Sequence, residues 1–125
     1  MPAAVRILLV EDNQVFRDAL QLLLGMRADV EVVAAVADGT QVLDAVEQHQ
    51  PDVVLMDFRL PGMDGVQATT ALKEARPDIG VVVLTASANS REIEALYAAG
   101  ATACLTKDQE LETIVETIKA AVSSS

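Results

Sequence analysis

The stretch Val53-Val54-Leu55-Met56-Asp57 decides the fold: four apolar residues in a row, ending on an ionisable carboxylate. A run this short and this apolar reads as a strand covered on both faces, because a half-exposed strand would alternate apolar with polar. An acid placed directly after it is not there for packing, since a buried charge needs something to offset its desolvation. The other apolar runs supply that something. Glu11-Asp12 follow Ile7-Leu8-Leu9-Val10, Thr85 follows Val81-Val82-Val83-Leu84, and Lys107 lies just past Ala103-Cys104-Leu105. Three acids, a hydroxyl and a lysine gathered at one edge of a sheet form a site for a metal ion and a phosphoryl group.

Working outward, short β-branched runs alternate with longer amphipathic stretches, the pattern of an α/β fold with a parallel sheet. The predicted strands are Val5–Val10, Val30–Ala37, Val53–Met56, Val81–Thr85 and Thr102–Leu105. Helical spacing places Phe16, Leu20, Leu23 and Leu24 on one face of the first helix, and Leu111, Ile114, Val115 and Ile118 on one face of the last. Asp38, Asp64 and Asp108 are expected N-caps, Asn89 with Glu92 resembles a capping box, and Gly25 and Gly100 are expected C-terminal stops. Pro61-Gly62 suits a tight turn, proline pre-setting the first φ and glycine accepting a positive second one. No internal linker interrupts the pattern. One domain over residues 1–122 is expected, with Ser123-Ser124-Ser125 as a tail or linker stub.

The totals narrow the function. A chain of 125 residues is long enough to bury a real core, and with only two Phe and one Tyr that core is aliphatic. Nineteen acids against nine bases give a net charge of −10, which argues against direct binding to nucleic acid or an anionic membrane. The single Cys104 excludes an internal disulfide framework and fits a reducing compartment. No apolar run approaches the roughly 18 residues of a membrane span. The apolar start lacks a basic leader and meets Glu11-Asp12 too early for a signal peptide, so a cytoplasmic protein is expected.

In an open parallel sheet, ligands sit outside the carboxyl ends of the strands, near the switch in strand order. Glu11, Asp12, Asp57, Thr85 and Lys107 all fall at such ends. An oxygen-rich cluster suits Mg²⁺ or Mn²⁺, which takes a few carboxylates and accepts phosphate oxygens. Phosphoryl transfer needs little from a protein beyond positioning and charge neutralisation. Asp57 is the candidate nucleophile, to form an acyl phosphate, with Lys107 as a point charge and Thr85 as a hydroxyl donor to the new group. Glu11-Asp12 alone also read as an acid pair complementing a helix dipole; the company of Asp57, Thr85 and Lys107 favours the site.

Taken together, Ile7-Leu8-Leu9-Val10-Glu11-Asp12, Asp52-Val53-Val54-Leu55-Met56-Asp57, Leu60-Pro61-Gly62-Met63-Asp64-Gly65, Leu84-Thr85-Ala86 and Gly100-Ala101 with Lys107 resemble a response-regulator receiver domain of two-component signalling. The resemblance covers essentially the whole chain. It implies a flavodoxin-like five-stranded parallel sheet of order 2-1-3-4-5 flanked by five helices. It also implies that Asp57 accepts phosphate from a sensor histidine kinase. Asp12, Asp57 and the main-chain carbonyl of Arg59 would ligate Mg²⁺, with Glu11 assisting through water. Thr85, Ala86 and Lys107 would contact the phosphoryl group. Lys107-Asp108, where many receivers have Lys-Pro, and the stretch Arg59 to Gly65 are similar to receivers of LuxR/NarL-type transcription factors. The partners so implied are the kinase, an output domain or downstream protein, and a second copy in a homodimer.

The largest departure is Cys104, at the switch position where receivers carry a Tyr or Phe whose ring turns inward as the threonine moves. The missing ring puts the coupling step in question, not the phosphorylation. As a residue, Cys104 reads as a small buried hydrophobe; a redox-sensing thiol finds no basic neighbour in sequence except Lys107. Tyr97 on the fourth helix is either ordinary packing or a substitute switching surface. His49 is expected at the surface, Arg59 at the mouth of the site with an influence on phosphodonor access, and small Ala86 leaves room for the donor.

Other classes compete. A constitutive, atypical receiver serving as an interaction or dimerisation module would explain the missing ring, yet such receivers usually lose an acid or the lysine. A haloacid-dehalogenase-type hydrolase needs a second Asp two residues after the first, where Arg59 stands. Flavin or dinucleotide binding would want a glycine-rich first turn in place of Glu11-Asp12-Asn13. The expectation is a phosphoacceptor and not an enzyme, beyond at most Mg-dependent self-phosphorylation and self-dephosphorylation.

Overall fold

Five strands alternate with five helices, as the alternation of runs predicts: β1 (Val5–Val10), α1 (Gln14–Gly25), β2 (Val30–Val36), α2 (Val42–His49), β3 (Val53–Asp57), α3 (Gly65–Ala75), β4 (Gly80–Thr85), α4 (Ser90–Ala99), β5 (Ala103–Thr106) and α5 (Leu111–Ser124). The computed structural model describes residues 4–86 and 89–124, and the side chains of all of these except 123 and 124. The strands form one parallel sheet in the order β2-β1-β3-β4-β5. This is the flavodoxin-like 2-1-3-4-5 arrangement, with its switch in direction between β1 and β3.

Successive residues of each central strand point to opposite faces, and both faces are covered. Leu8, Val10, Val54, Met56, Val81 and Val83 pack against α2, α3 and α4 through Val46, Leu72 and Leu96. Ile7, Leu9, Val53, Leu55, Val82 and Leu84 pack against α1 and α5 through Leu20, Leu24, Ile114, Val115 and Ile118. Nearly every one of these residues is inaccessible, which explains the continuous apolar runs. Each such aliphatic side chain contributes about 1.5–3 kcal/mol by burial, so the strand ends are held on a stiff platform.

Several local expectations need correction. β2 stops at Val36 because the Ala37 N–H turns to the Gln41 side chain, 3.3 Å away. Leu23 is 43% exposed; the buried stripe of α1 runs through Leu20 and Leu24, with Phe16 half-buried. Gly25 is the last residue of α1, and the cap is Met26 in an ordinary right-handed conformation, so no left-handed stop exists there. Asp108 lies in the turn before α5, where its carboxylate accepts from the Thr106 hydroxyl.

Other signals behave as read. Asp64 and Gln67 form a reciprocal capping box on α3, and Gly100 ends α4 at φ 111°. Of the box expected at Asn89 and Glu92 only the Asn89 half forms, accepting from Arg91 and Glu92 N–H, while the Glu92 carboxylate turns to Arg59. Asp38 caps the short 3₁₀ turn Gly39–Gln41 by accepting from Thr40 N–H. Gly62 adopts φ 79°, and a Cβ there would stand 2.7 Å from the Asp38 carboxylate, so Pro61-Gly62 turns tightly against the β2–α2 connection.

Candidate functional site

The carboxyl ends of β1, β3 and β4 and the segment after β5 converge on one acidic pocket. Glu11 is 1% exposed yet charged-type, and it is held from several sides. Its N–H donates to the Val36 carbonyl at 3.0 Å, its carbonyl accepts from the Arg17 guanidinium at 2.7 Å, and its Oε2 accepts from Asn13 N–H at 3.1 Å. Its Oε1 lies 2.8 Å from Lys107 Nζ. The same ammonium stands 3.3 Å from Asp57 Oδ2. Asp12, exposed beside them, completes a set: Glu11, Asp12 and Asp57 each offer a carboxylate oxygen, all within 4.8 Å of one another.

Asp57 is the last residue of β3 and 7% exposed. Burial pushes its carboxyl up to about 6, the nearby Glu11 charge adds to the rise, and Lys107 only partly opposes it. For Lys107, burial works against the charged form, but the hydrogen bond to Glu11 and the charges of Asp57 and Glu11 prevail and hold its pKa above the ordinary value. One cation therefore does not balance the acids around it. The donor set is all oxygen, and its excess negative charge is what a hard divalent cation would relieve, so the residues present fit Mg²⁺.

Thr85 ends β4, buried, one register step past the Leu84 that faces Asp57; its carbonyl accepts from Lys107 N–H at 2.8 Å. Ala86 follows, exposed at the rim. Arg59 sits at the mouth with its side chain 71% exposed, its guanidinium 3.3 Å from Glu92 on the first turn of α4 and 5.5 Å from the Phe58 ring centroid. Asp12, Phe58, Arg59, Pro61, Asp64 and Glu92 line an open groove that shares Asp12 with the acidic pocket.

The sequence of the chain matches one known family, described as the response regulator receiver domain, over residues 7–119. The chain belongs to that family. Transcriptional regulatory protein DegU of Brevibacillus brevis is 33% identical over 115 residues, which cover 92% of this chain and 49% of that protein. The receiver domain of the response regulator NarL from Mycobacterium tuberculosis superposes with a TM-score of 0.93 at 29% identity, covering 99% of this chain and all of that one. A LuxR-family two-component response regulator from Aurantimonas follows at 0.91 and 28%, covering 97% and 86%. These relatives agree with the LuxR/NarL-type resemblance. The receiver spans about half the length of the curated relatives it matches. None of its described helices is long and apolar enough to cross a membrane.

The structure places two receiver residues away from the pocket. Cys104 lies on the edge strand β5, half-buried, and burial holds its thiol above the ordinary pKa, with the Tyr97 hydroxyl opposing. That leaves little thiolate for redox chemistry. His49 ends α2, and its carbonyl accepts from the Arg6 guanidinium at 2.7 Å. Tyr97 is more than packing. Its hydroxyl accepts from Cys104 N–H at 3.2 Å, so the ring that β5 lacks is set against β5 from α4.

Two residues of the site escaped the sequence reading. By sequence Glu92 reads as part of a cap, but its carboxylate reaches Arg59. Phe16 reads as core face of α1 and does pack there, and Lys107 Nζ also stands 4.6 Å from its ring centroid. The available signal for Phe16 was position: the first turn of the helix after β1 begins at the edge of the site.

Proposed function

We propose that this receiver is a phosphorylation switch in which Asp57 takes a phosphoryl group from the phosphohistidine of a sensor kinase. An Asp57 carboxylate oxygen attacks phosphorus in line; the P–O bond forms as the P–N bond breaks, and the imidazole nitrogen leaves with the electron pair and takes up a proton. Glu11, Asp12, Asp57 and the Arg59 carbonyl are the protein groups proposed to hold Mg²⁺. Bound there, the ion supplies charge neutralisation for the transferring oxygens. Lys107 holds a phosphoryl oxygen, Thr85 donates a hydroxyl hydrogen bond, and Ala86 leaves the approach open. The observation that carries this reading is the Asp57 carboxylate, buried, with Lys107 3.3 Å away and two further acids alongside.

The domain is proposed as the input half of a transcriptional regulator, in line with the names and lengths of the relatives. Helix α5 continues to Ser124, so the tail expected at 123–125 begins inside that helix. Phosphorylation would change the partner or dimer preference of the surface formed by α4, β5 and α5. Incubation with Mg²⁺ and acetyl phosphate should add one phosphoryl group by mass, a gain lost with EDTA and absent in Asp57→Ala. A gain that survives Asp57→Ala overturns the assignment. One observation favours a second reading, a constitutive interaction module: position 104 carries no ring. An oligomeric state indifferent to phosphodonor, in a chain that does take up phosphate, would select it.

A further inference from the structure

We infer that Phe16 is a positioning residue that seats the Lys107 ammonium in the acid pocket through its ring face. A lysine ammonium is a point charge with three donors on a flexible four-carbon stem, and nothing intrinsic fixes its direction. Here two sides face carboxylates, Glu11 at 2.8 Å and Asp57 at 3.3 Å. A third faces the Phe16 ring at 4.6 Å, within the distance at which the negative face of an aromatic ring attracts a cation.

The helix turn that carries the ring is itself held from the pocket. Glu11 Oε2 accepts from Asn13 N–H at 3.1 Å, and Asn13 Oδ1 accepts from Phe16 N–H at 3.0 Å. Phe16 then meets Lys107, and Lys107 returns to Glu11. Four residues thus close a circuit in which the N-cap of α1, the helix start and the lysine brace one another. Of the contacts on the ammonium described above, the aromatic one involves no carboxylate and can stay unchanged when the carboxylates change partners. During transfer Lys107 must leave an Asp57 oxygen for a phosphoryl oxygen, and the ring keeps the ammonium from swinging into solvent meanwhile. A leucine would fill the same space beside the α1–α5 core and supply no such seat.

This inference rests on the phosphoacceptor reading and fails separately from it. Phenylalanines carrying one, two or three ring fluorines at position 16 keep the shape and remove the negative face stepwise. The rate of Mg²⁺-dependent phosphorylation by acetyl phosphate should fall with each fluorine, by about three- to ten-fold over the series. Phe16→Leu should match the trifluorinated ring, Phe16→Trp should retain the rate, and circular dichroism should show all of them folded. If Phe16→Leu does not fold, the fluorinated series alone decides. A flat series in a chain that is phosphorylated normally overturns the role of Phe16 and leaves the switch standing. No phosphorylation of the unmodified chain overturns both.

Discussion

The acid pocket and the β5 edge sit on the same end of one sheet, but they are held in different ways. Around Asp57, buried charges are tied to one another, and Glu11 is tied further to the Val36 carbonyl of β2, the Asn13 N–H at the cap of α1 and the Arg17 guanidinium. At β5 the strand has four residues, none fully buried, and a half-exposed Tyr97 hydroxyl meets its outward N–H. Lys107 N–H points toward β4, and strand N–H groups alternate in direction, so the Cys104 N–H points off the open edge. The difference teaches where variation is cheap. Chemistry needs several groups within ångströms of one another, whereas a relay needs only a contact that can be made or lost.

If this contrast holds, the largest stability effects belong to the pocket. Lys107→Met leaves Glu11 and Asp57 without their shared cation and should cost about 3 kcal/mol in urea unfolding at pH 8. The loss should shrink toward pH 5 as Asp57 takes up a proton, and a pH-independent loss would mean that packing, not charge, holds Lys107. Asp57→Asn should act in the opposite direction. The folded chain retains a proton on Asp57 up to about pH 6, where an unfolded aspartate near 3.8 has released it. Without metal, stability therefore falls as pH rises through that window and stays at its lower level above it. Asp57→Asn should remove this slope and raise stability at pH 7 by about 1–3 kcal/mol. A slope that persists in the variant would place the titrating group elsewhere.

The same contrast explains what the sequence revealed. The strands follow from doubly covered apolar runs, because every central residue faces a helix, and their order from the resemblance alone. Glu11, Asp12, Asp57 and Lys107 were legible because a charge after an apolar run is anomalous wherever it occurs. Phe16 reads only as packing, because a ring at helical spacing does so and its second partner, Lys107, lies past β5 far along the chain. Tyr97 already carries both readings, packing or a switching surface. Glu92 was misread for a related reason: a cap is a local signal, and Arg59 competes for the carboxylate from 33 residues away. Gly25 misled because a glycine at a helix end usually takes positive φ, and Met26 closes α1 without it.

On the β5 side the effects should be small and local. Tyr97→Phe keeps the ring and removes one hydrogen bond at a half-exposed edge, worth about 0.5–1 kcal/mol. Its clearer mark should be faster amide hydrogen exchange at Cys104, with the neighbouring amides that point to β4 unchanged; an unaltered Cys104 rate would show that the hydroxyl does not protect it. Smallest of all should be Arg59→Ala. The Arg59–Glu92 pair joins the pocket's mouth to α4, but the guanidinium is 71% exposed, and such pairs contribute about 0–1 kcal/mol and weaken with salt. A change in unfolding free energy below about 0.5 kcal/mol at physiological salt is therefore expected. A loss as large as that of Lys107→Met would break the division drawn here, because the buried circuit and the surface of α4 would then be one cooperative unit, coupled through a contact that water should have screened.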